Sequence, residues 1–247
     1  MTSSRTPLVQ ACLNGRRSPD EHPAVPRTPG ELAREGRAAV AAGARSLHVH
    51  PRDASGDETL DGEPRAAALA ALRAACPGIE ISVTTGFWIV RDEALRLAKL
   101  GQWTVLPDLA SVNVKEPGAI ELCGWMFDRG IGVEAGVATA AEARLLLASG
   151  VGPRCARVLV EVEGDTKAAL AEAEAIDRLL DDARLTIPRL VHGYWEATWP
   201  VIQRALELGH DVRVGLEDTL VLPDGSRAAG NGDLVAACVA RRNAVFR

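Results

Sequence analysis

The sequence predicts a single (β/α)8 TIM barrel that spans residues 1–247. Short apolar segments alternate with longer helical segments from one end of the chain to the other. Eight such pairs occur, and eight is the number of parallel strands that closes a barrel. The alternative is a doubly wound open sheet, but Leu13-Asn14-Gly15-Arg16 after the first strand lacks the glycine pattern of a dinucleotide site. The barrel is therefore favoured.

The predicted strands are short and rich in valine, isoleucine and leucine, as expected of strands that are covered on both faces. In chain order they are Leu8–Leu13, Ser46–His50, Ile79–Thr84, Leu109–Val114, Ile131–Glu134, Arg157–Val162, Arg189–His192 and Val212–Leu216. In a parallel barrel their carboxyl ends meet at one face, which we call the mouth.

A predicted helix follows each strand, and the first of these helices has a clear beginning. In Thr-Pro-Gly-Glu, Thr28 is the predicted N-cap, Pro29 occupies the first turn and Glu31 completes a capping box. The helical segments are Thr28–Ala42, Glu63–Ala75, Asp92–Leu100, Gly118–Arg129, Thr139–Ser149, Thr166–Asp182, Glu196–Leu208 and Asp233–Val245. Glycines follow several of them, as is typical of helix ends.

The composition excludes several classes of protein. A net charge of −5 with both signs dispersed leaves no basic patch for nucleic acid. No apolar segment has the length of a membrane span, and the first residues lack a signal-peptide pattern, so we expect a cytoplasmic protein without membrane contact. The five cysteines form no CxxC pair, and we expect them to be buried and reduced.

Polar and ionisable residues stand where the apolar strands end, and barrels carry their active sites at these ends. The sequence therefore predicts a ligand-binding mouth. The residues at the eight strand ends are Asn14, His48, His50, Thr84, Thr85, Ser111, Asn113, Glu134, Glu161, Glu163, His192, Glu217 and Asp218.

His48 and His50 give the sharpest signal in the sequence. Side chains two apart on a strand point to the same face, so both imidazoles can meet at one point. Two imidazoles and a carboxylate are a common ligand set for catalytic zinc. Glu217, at the end of the last strand, can supply the carboxylate. We therefore predict a divalent metal, zinc in preference to others, on these three residues; structural, hydrogen-bonded histidines are the alternative.

Arg213, Glu217 and Asp218 form a second cluster. Arg213 and Glu217 are four apart, so on a strand both can point inward. An arginine beside a metal can hold a substrate carboxylate or stabilise an oxyanion. Asp218 can orient the arginine or act as a base, which makes these two residues the predicted catalytic pair. A salt-bridge network that closes the barrel is the alternative.

The remaining polar strand ends give the predicted substrate-binding residues. They are Thr84, Thr85, Ser111, Asn113, Glu134 and Asn14. Glu134 is either a pocket carboxylate, which we favour, or the structural partner of a barrel arginine.

Three other features receive a structural interpretation or stay open. Glu161 and Glu163 are expected in salt bridges, and His192 is either structural or catalytic. The segment Asp53–Asp61 is expected to be a solvated loop.

Several of these residues lie in segments that resemble the β-keto acid cleavage enzyme family. The segments are His48-Val49-His50-Pro51-Arg52-Asp53, Val83-Thr84-Thr85-Gly86, Ser111-Val112-Asn113, Val212-Arg213-Val214-Gly215-Leu216-Glu217-Asp218-Thr219-Leu220 and Gly230-Asn231-Gly232-Asp233-Leu234-Val235. They occur in order over nearly the whole chain, and the pairing of HxH with GxED is the specific part.

The resemblance implies a zinc-dependent TIM barrel that is usually a homotetramer. Zinc would bind to His48, His50 and Glu217. Arg213 and Asp218 would be the catalytic pair, and the hydroxyls of Thr84 and Ser111 would contact substrate. The implied reaction joins a β-keto acid to acetyl-CoA through a retro-Claisen step, giving acetoacetate and a new CoA thioester. The alternatives are a metal-dependent carbon–carbon lyase or aldolase that does not use CoA, and a non-catalytic binding barrel.

The sequence departs from the family at Arg17. This arginine stands two residues after Gly15, where an acidic residue occurs in the family. If Arg17 faces the pocket, we expect substrates with neutral or anionic side chains to be preferred over cationic ones.

Overall fold

The computed structural model describes residues 5–246 and shows a closed barrel of eight parallel strands. The strands are β1 (Val9–Cys12), β2 (Ser46–Val49), β3 (Glu80–Thr84), β4 (Leu109–Asn113), β5 (Gly132–Val137), β6 (Arg157–Val162), β7 (Arg189–Gly193) and β8 (Asp211–Val214). Each strand pairs with the next, and β8 pairs with β1. The predicted (β/α)8 fold is confirmed.

Eight helices follow the strands in alternation. They are α1 (Pro29–Ala41), α2 (Gly62–Ala75), α3 (Glu93–Gly101), α4 (Ala119–Phe127), α5 (Ala140–Ser149), α6 (Thr166–Asp182), α7 (Thr198–Glu207) and α8 (Asn231–Val245). The predicted capping box of α1 is confirmed, since the Thr28 hydroxyl accepts from the Glu31 amide and the Glu31 carboxylate accepts from the Thr28 amide. None of the helices in residues 5–246 has the length and apolarity needed to cross a membrane.

The barrel wall separates an apolar layer from a polar interior. Leu47 and Val49 of β2 belong to the apolar core that packs against the helices. Ser46 and His48 alternate with them and make hydrogen bonds to side chains of other strands. This alternation follows from the two-residue period of a strand. All five cysteines are buried and unpaired, as expected.

Glu134 lies inside the barrel, and its predicted place at a strand end is wrong. β5 continues three residues further, to Val137, because Ala135-Gly136-Val137 keeps pairing with β4 and β6. The buried carboxylate accepts from Gln10 and from Arg157 Nε, each at 2.8 Å, and from Ser82. Burial raises its pKa, but Arg157 and these contacts outweigh that effect and the pKa is lowered. Glu134 is thus the structural partner of a barrel arginine.

β8 ends at Val214, two residues before its predicted end, because the backbone turns at Gly215. The Asp218 and Thr219 amides donate to the Gly215 carbonyl at 3.0 and 3.1 Å. A Cβ at Gly215 would overlap the backbone of Cys12 on β1. The absence of a side chain therefore allows the turn that carries Glu217 and Asp218 over the mouth.

Gly215→Ala is expected to lower the free energy of unfolding by about 1–3 kcal/mol, the usual cost of overpacking. The Cys12 backbone cannot move without breaking the pairing of β1 with both neighbours. Urea denaturation measures the change. Gly124→Ala is the matched control: it lies inside α4, where an added Cβ meets nothing within 4 Å beyond the backbone of its own helix, and should gain about 0.5–1 kcal/mol. Equal effects at the two positions would contradict this account.

Candidate active site

His48, His50 and Glu217 meet at the mouth of the barrel. One potential ligand atom from each lies within 4.8 Å of the other two. The His48 and His50 rings are nearly perpendicular, with centroids 5.1 Å apart, and His50 Nε2 is 3.5 Å from Glu217 Oε1. Both histidines are buried. The three residues therefore form a possible metal site with the donor types that zinc prefers.

The hydrogen bonds around the two histidines engage Nδ1 of each ring and leave Nε2 as the nitrogen that can bind a metal. The single hydroxyl proton of Ser82 goes to Glu134, so Ser82 Oγ accepts from His48 Nδ1 at 2.9 Å. His50 Nδ1 donates to Glu58 at 2.5 Å. Each imidazole is thus held through Nδ1, with Nε2 available. Glu217 Oε2 is buried and has no hydrogen-bond partner among the described residues, an arrangement that a bound cation would satisfy. The residues fit a divalent metal.

The charges at this cluster act differently on its three members. Burial and Arg213 lower the pKa of His48 to about 3, so this imidazole is neutral. Burial opposes protonation of His50 as well, but the carboxylates of Glu217 and Glu58 raise its pKa to about 9. Burial alone would raise the pKa of Glu217, yet Arg213 and His50 hold it well below its usual range. A carboxylate that stays ionised thus faces a neutral imidazole across the centre.

Arg213 connects the possible metal site to Asp218. Its Nη2 lies 2.6 Å from Glu217 Oε1 and 3.2 Å from Asp218 Oδ1. Asp218 is fully buried, accepts from the Cys12 thiol at 2.7 Å and lies 3.3 Å from His192 Nδ1. Burial raises the pKa of Asp218, but Arg213 and His192 outweigh it and the pKa is lowered. Arg213 lines the cavity and Asp218 lies behind it, which suits a role in orienting the arginine.

A cavity of about 590 Å³ opens at the mouth over these residues. Of the predicted substrate-binding residues, Thr84, Ser111 and Asn113 line it, together with the three possible ligands. Glu134 lies below it, for the reason given above.

Thr85 and Asn14 are buried and do not line the cavity, contrary to the sequence-based expectation. The Thr85 hydroxyl donates to the Ser111 carbonyl at 2.6 Å. The Asn14 amide accepts from the His50 amide and donates to the His50 carbonyl, both at 2.9 Å. Both side chains therefore make hydrogen bonds to the backbone, and those of Asn14 fix the position of His50.

Charged side chains of both signs line the cavity. Arg17 is one of them; its Nε donates to the Glu217 carbonyl at 3.2 Å and its Nη1 pairs with Glu21 at 2.7 Å. Glu161 is another; it accepts from the Tyr194 hydroxyl at 3.3 Å and lies 3.8 Å from His192 Nε2. The expected salt bridge of Glu163 to an arginine or lysine is not formed within residues 5–246.

Sequence reasoning missed Glu58, which lies in the segment expected to be a solvated loop. An antiparallel bridge between Arg52 and Glu58 folds this segment back on itself, and the Glu58 side chain is only 13% exposed. Glu58 bonds His50 through one oxygen and Trp88 through the other. Metal-binding histidines usually need an acceptor for the second ring nitrogen. An acceptor near His50 could therefore be expected from the sequence, but nothing in the sequence indicated that Glu58 is that acceptor.

The sequence has clear relatives. The model of the family described as beta-keto acid cleavage enzyme matches residues 7–121 and 137–245. The chain is 26% identical to a 3-keto-5-aminohexanoate cleavage enzyme of Fusobacterium nucleatum, over 92% of this chain and 88% of that protein. It is 25% identical to the enzyme of the same name from Acetoanaerobium sticklandii, with the same two coverages.

Solved structures share the fold at lower identity. ObcA in a binary complex with oxaloacetate superposes with a TM-score of 0.70 at 18% identity, over 90% of this chain. This chain spans 63% of that structure's length. A type I 3-dehydroquinate dehydratase from Clostridium difficile gives a TM-score of 0.68 at 14% identity, over 98% of this chain and 92% of that one. These likenesses concern the barrel itself.

Proposed function

The chain belongs to the beta-keto acid cleavage enzyme family, and from this premise we propose that it is a zinc-dependent acyltransferase acting on a β-keto acid and acetyl-CoA. The observation that carries the proposal is the meeting of His48, His50 and Glu217 at the mouth, directly beside Arg213. The names of the two relatives support a β-keto acid as the substrate.

The reaction exchanges two acyl groups. The bond between the keto carbon and the carbon next to the carboxylate breaks, and the acyl group released from the β-keto acid joins the sulfur of CoA. The acetyl group leaves that sulfur and joins the carbon next to the carboxylate, the carbon that was released from the β-keto acid. The products are acetoacetate and a new CoA thioester, with no net oxidation or reduction.

Negative charge on oxygen is the main difficulty of such a retro-Claisen step. Zinc held by His48, His50 and Glu217 would supply a Lewis acid for the keto and carboxylate oxygens. Arg213 presents a guanidinium to the same cavity, where it can bind a carboxylate or stabilise an oxyanion. Asp218 keeps this guanidinium charged and oriented. We assign these two residues the catalytic roles.

Three polar side chains on the cavity wall would position the substrate. Thr84 and Ser111 offer hydroxyls, and the Asn113 amide nitrogen donates to Glu116 at 3.1 Å, so its oxygen is free to accept. Side chains fixed on the cavity wall can orient the two substrates, which reduces the entropy cost of bringing them together. Thr85, Asn14 and Glu134 are not assigned substrate contacts, because their polar atoms are bonded within the barrel.

A product assay tests the proposal and separates it from a lyase or aldolase that needs no CoA. The purified protein is incubated with a β-keto acid, with and without acetyl-CoA, and acetoacetate is measured by chromatography. The proposal expects acetoacetate only with acetyl-CoA, in equal amount to the new thioester. Carbon–carbon cleavage at the same rate without acetyl-CoA would favour the lyase. No cleavage, together with no bound metal, would favour a binding barrel.

Arg17 is expected to influence which side-chain charge is accepted. It lines the cavity, so we expect neutral or anionic β-keto acids to be turned over better than cationic ones. Arg17→Glu should shift the ratio of kcat/KM for cationic over anionic substrates upward by about tenfold, equivalent to about 1.4 kcal/mol. Arg144→Glu changes the net charge equally but lies on α5 outside the cavity. An unchanged ratio in the Arg17 variant, or an equal shift in both, would refute the assignment.

The family resemblance also supports three broader proposals. We propose that residues 1–247 act as one catalytic unit, that the protein works in the cytoplasm, and that it assembles as a homotetramer. Light scattering after size-exclusion chromatography gives the mass of the assembly directly.

A further inference from the structure

His50 is held on the side away from the metal centre by two side chains, Glu58 and Trp88. We call this pair the His50 clamp. Glu58 Oε1 lies 2.5 Å from His50 Nδ1, and Trp88 Nε1 donates to Glu58 Oε2 at 3.1 Å. The Trp88 indole stacks on the His50 ring, with centroids 6.2 Å apart and planes 28° from parallel. The imidazole is therefore fixed both at its edge and over its face.

The contact with Glu58 determines which nitrogen of His50 is turned away from the possible metal site. An ionised carboxylate only accepts hydrogen bonds, so Nδ1 must be the donor. Nε2, on the opposite edge of the ring, then faces Glu217 at 3.5 Å. The clamp thereby directs Nε2, and not Nδ1, at the possible metal site.

The two histidines differ in what stands behind them. His48 Nδ1 meets the neutral hydroxyl of Ser82, whereas His50 Nδ1 meets a carboxylate. A carboxylate behind a metal-binding histidine makes the imidazole a stronger donor and fixes its orientation. His50 should therefore be the stronger imidazole ligand of the pair.

The surrounding backbone holds both residues of the clamp in position. A Cβ at Gly86 would overlap the Trp88 indole, so this glycine makes room for the ring. The Phe87 amide donates to Glu116 at 3.1 Å, which fixes the turn that carries Trp88. The bridge between Arg52 and Glu58 fixes the loop that carries Glu58. Two separate loops thus converge on one face of His50.

We propose that Glu58 and Trp88 are positioning residues that set the orientation and the metal affinity of His50. The inference rests on the metal site of the proposed function. It adds two residues that bind no metal themselves, one from the loop after β2 and one from the loop after β3.

The test measures metal binding rather than turnover. The metal-free protein is titrated with zinc in competition with a chromophoric chelator, and cobalt(II) is added separately to record its absorption spectrum. Glu58→Gln should weaken zinc binding by about 10–100-fold, the usual cost of losing such a partner. It should also change the cobalt spectrum, because the ligand geometry relaxes. Trp88→Phe keeps a stacking ring but loses the N–H donor, and should weaken zinc binding less than Glu58→Gln does.

Asp57→Asn is the matched control, since Asp57 is an exposed carboxylate next to Glu58 with no contact to His50. It should bind zinc as the wild type does. Gly86→Ala displaces the indole without touching Glu58, so it tests the clamp even if Glu58→Gln folds poorly. If the folded variants of Glu58, Trp88 and Gly86 bind zinc with wild-type affinity and show an unchanged cobalt spectrum, the proposed role of the clamp is refuted and the metal site stands. A wild-type protein that binds neither ion would overturn the metal site and the clamp together.

Discussion

Glu217→Gln is expected to abolish stoichiometric metal binding and to lower turnover by more than about 100-fold. The loss of a residue that only hydrogen-bonds to a metal ligand already lowers metal affinity or activity by about 10–100-fold. An amide is a poor zinc ligand, and the change also removes the negative charge that faces the two imidazoles and Arg213. Zinc content after dialysis and the rate of acetoacetate formation measure the two effects.

Controls make the Glu217 result specific. Glu121→Gln removes an exposed carboxylate of α4 and should leave both quantities unchanged. Chelation of the wild-type protein should abolish activity, and added zinc should restore it in the wild type but not in Glu217→Gln. Full turnover after exhaustive chelation would refute a metal-dependent mechanism.

Arg213→Lys should lower kcat by about 100–1000-fold, the range found when one preorganised oxyanion donor is removed. Lysine keeps the positive charge, so the buried carboxylates of Glu217 and Asp218 retain a counter-charge and the fold should survive. Nη2 alone contacts both carboxylates, which leaves the rest of the planar guanidinium to the cavity, and a single ammonium cannot do both. Zinc content should stay close to one per chain, which distinguishes this variant from the ligand variants.

Asp218→Asn complements the arginine variant. It keeps the shape of the side chain but removes the charge that orients Arg213. We expect a fall in kcat with little change in KM, since Asp218 lies behind the cavity wall. Stopped turnover in Arg213→Lys with normal turnover in Asp218→Asn would show that the pair does not act as a unit.

The serial alternation of strand and helix segments explains why the fold could be predicted from the sequence, and the two-residue period of a strand explains the prediction for the two histidines. Eight apolar segments predicted the barrel, and the spacing of His48 and His50 predicted that both face inward. Glu217 could be predicted to lie near them because the last strand of a barrel returns to the first. These inferences depend on periodicity and on topology, which are properties of the sequence.

The height of a residue inside the barrel could not be predicted in the same way. Glu134 faces inward whether its strand ends there or three residues later, and only the second case buries it below the cavity. Loops have no period, so nothing in the sequence indicated that Glu58 folds back onto His50. Nothing in the sequence indicated the position of Trp88 either, because its indole occupies space that is open only since Gly86 has no side chain.

The paired hydrogen bonds between Asn14 and the backbone of His50 have a practical consequence for engineering. They continue the pairing of β1 with β2 beyond the last strand residue, so the loop bearing Arg16 and Arg17 begins at a residue that also holds His50 in place. Exchanging that loop for one from a relative, to obtain a new substrate range, should succeed only if the graft begins after Asn14. A graft that replaces Asn14 would move His50 and so disturb the possible metal site before it altered selectivity.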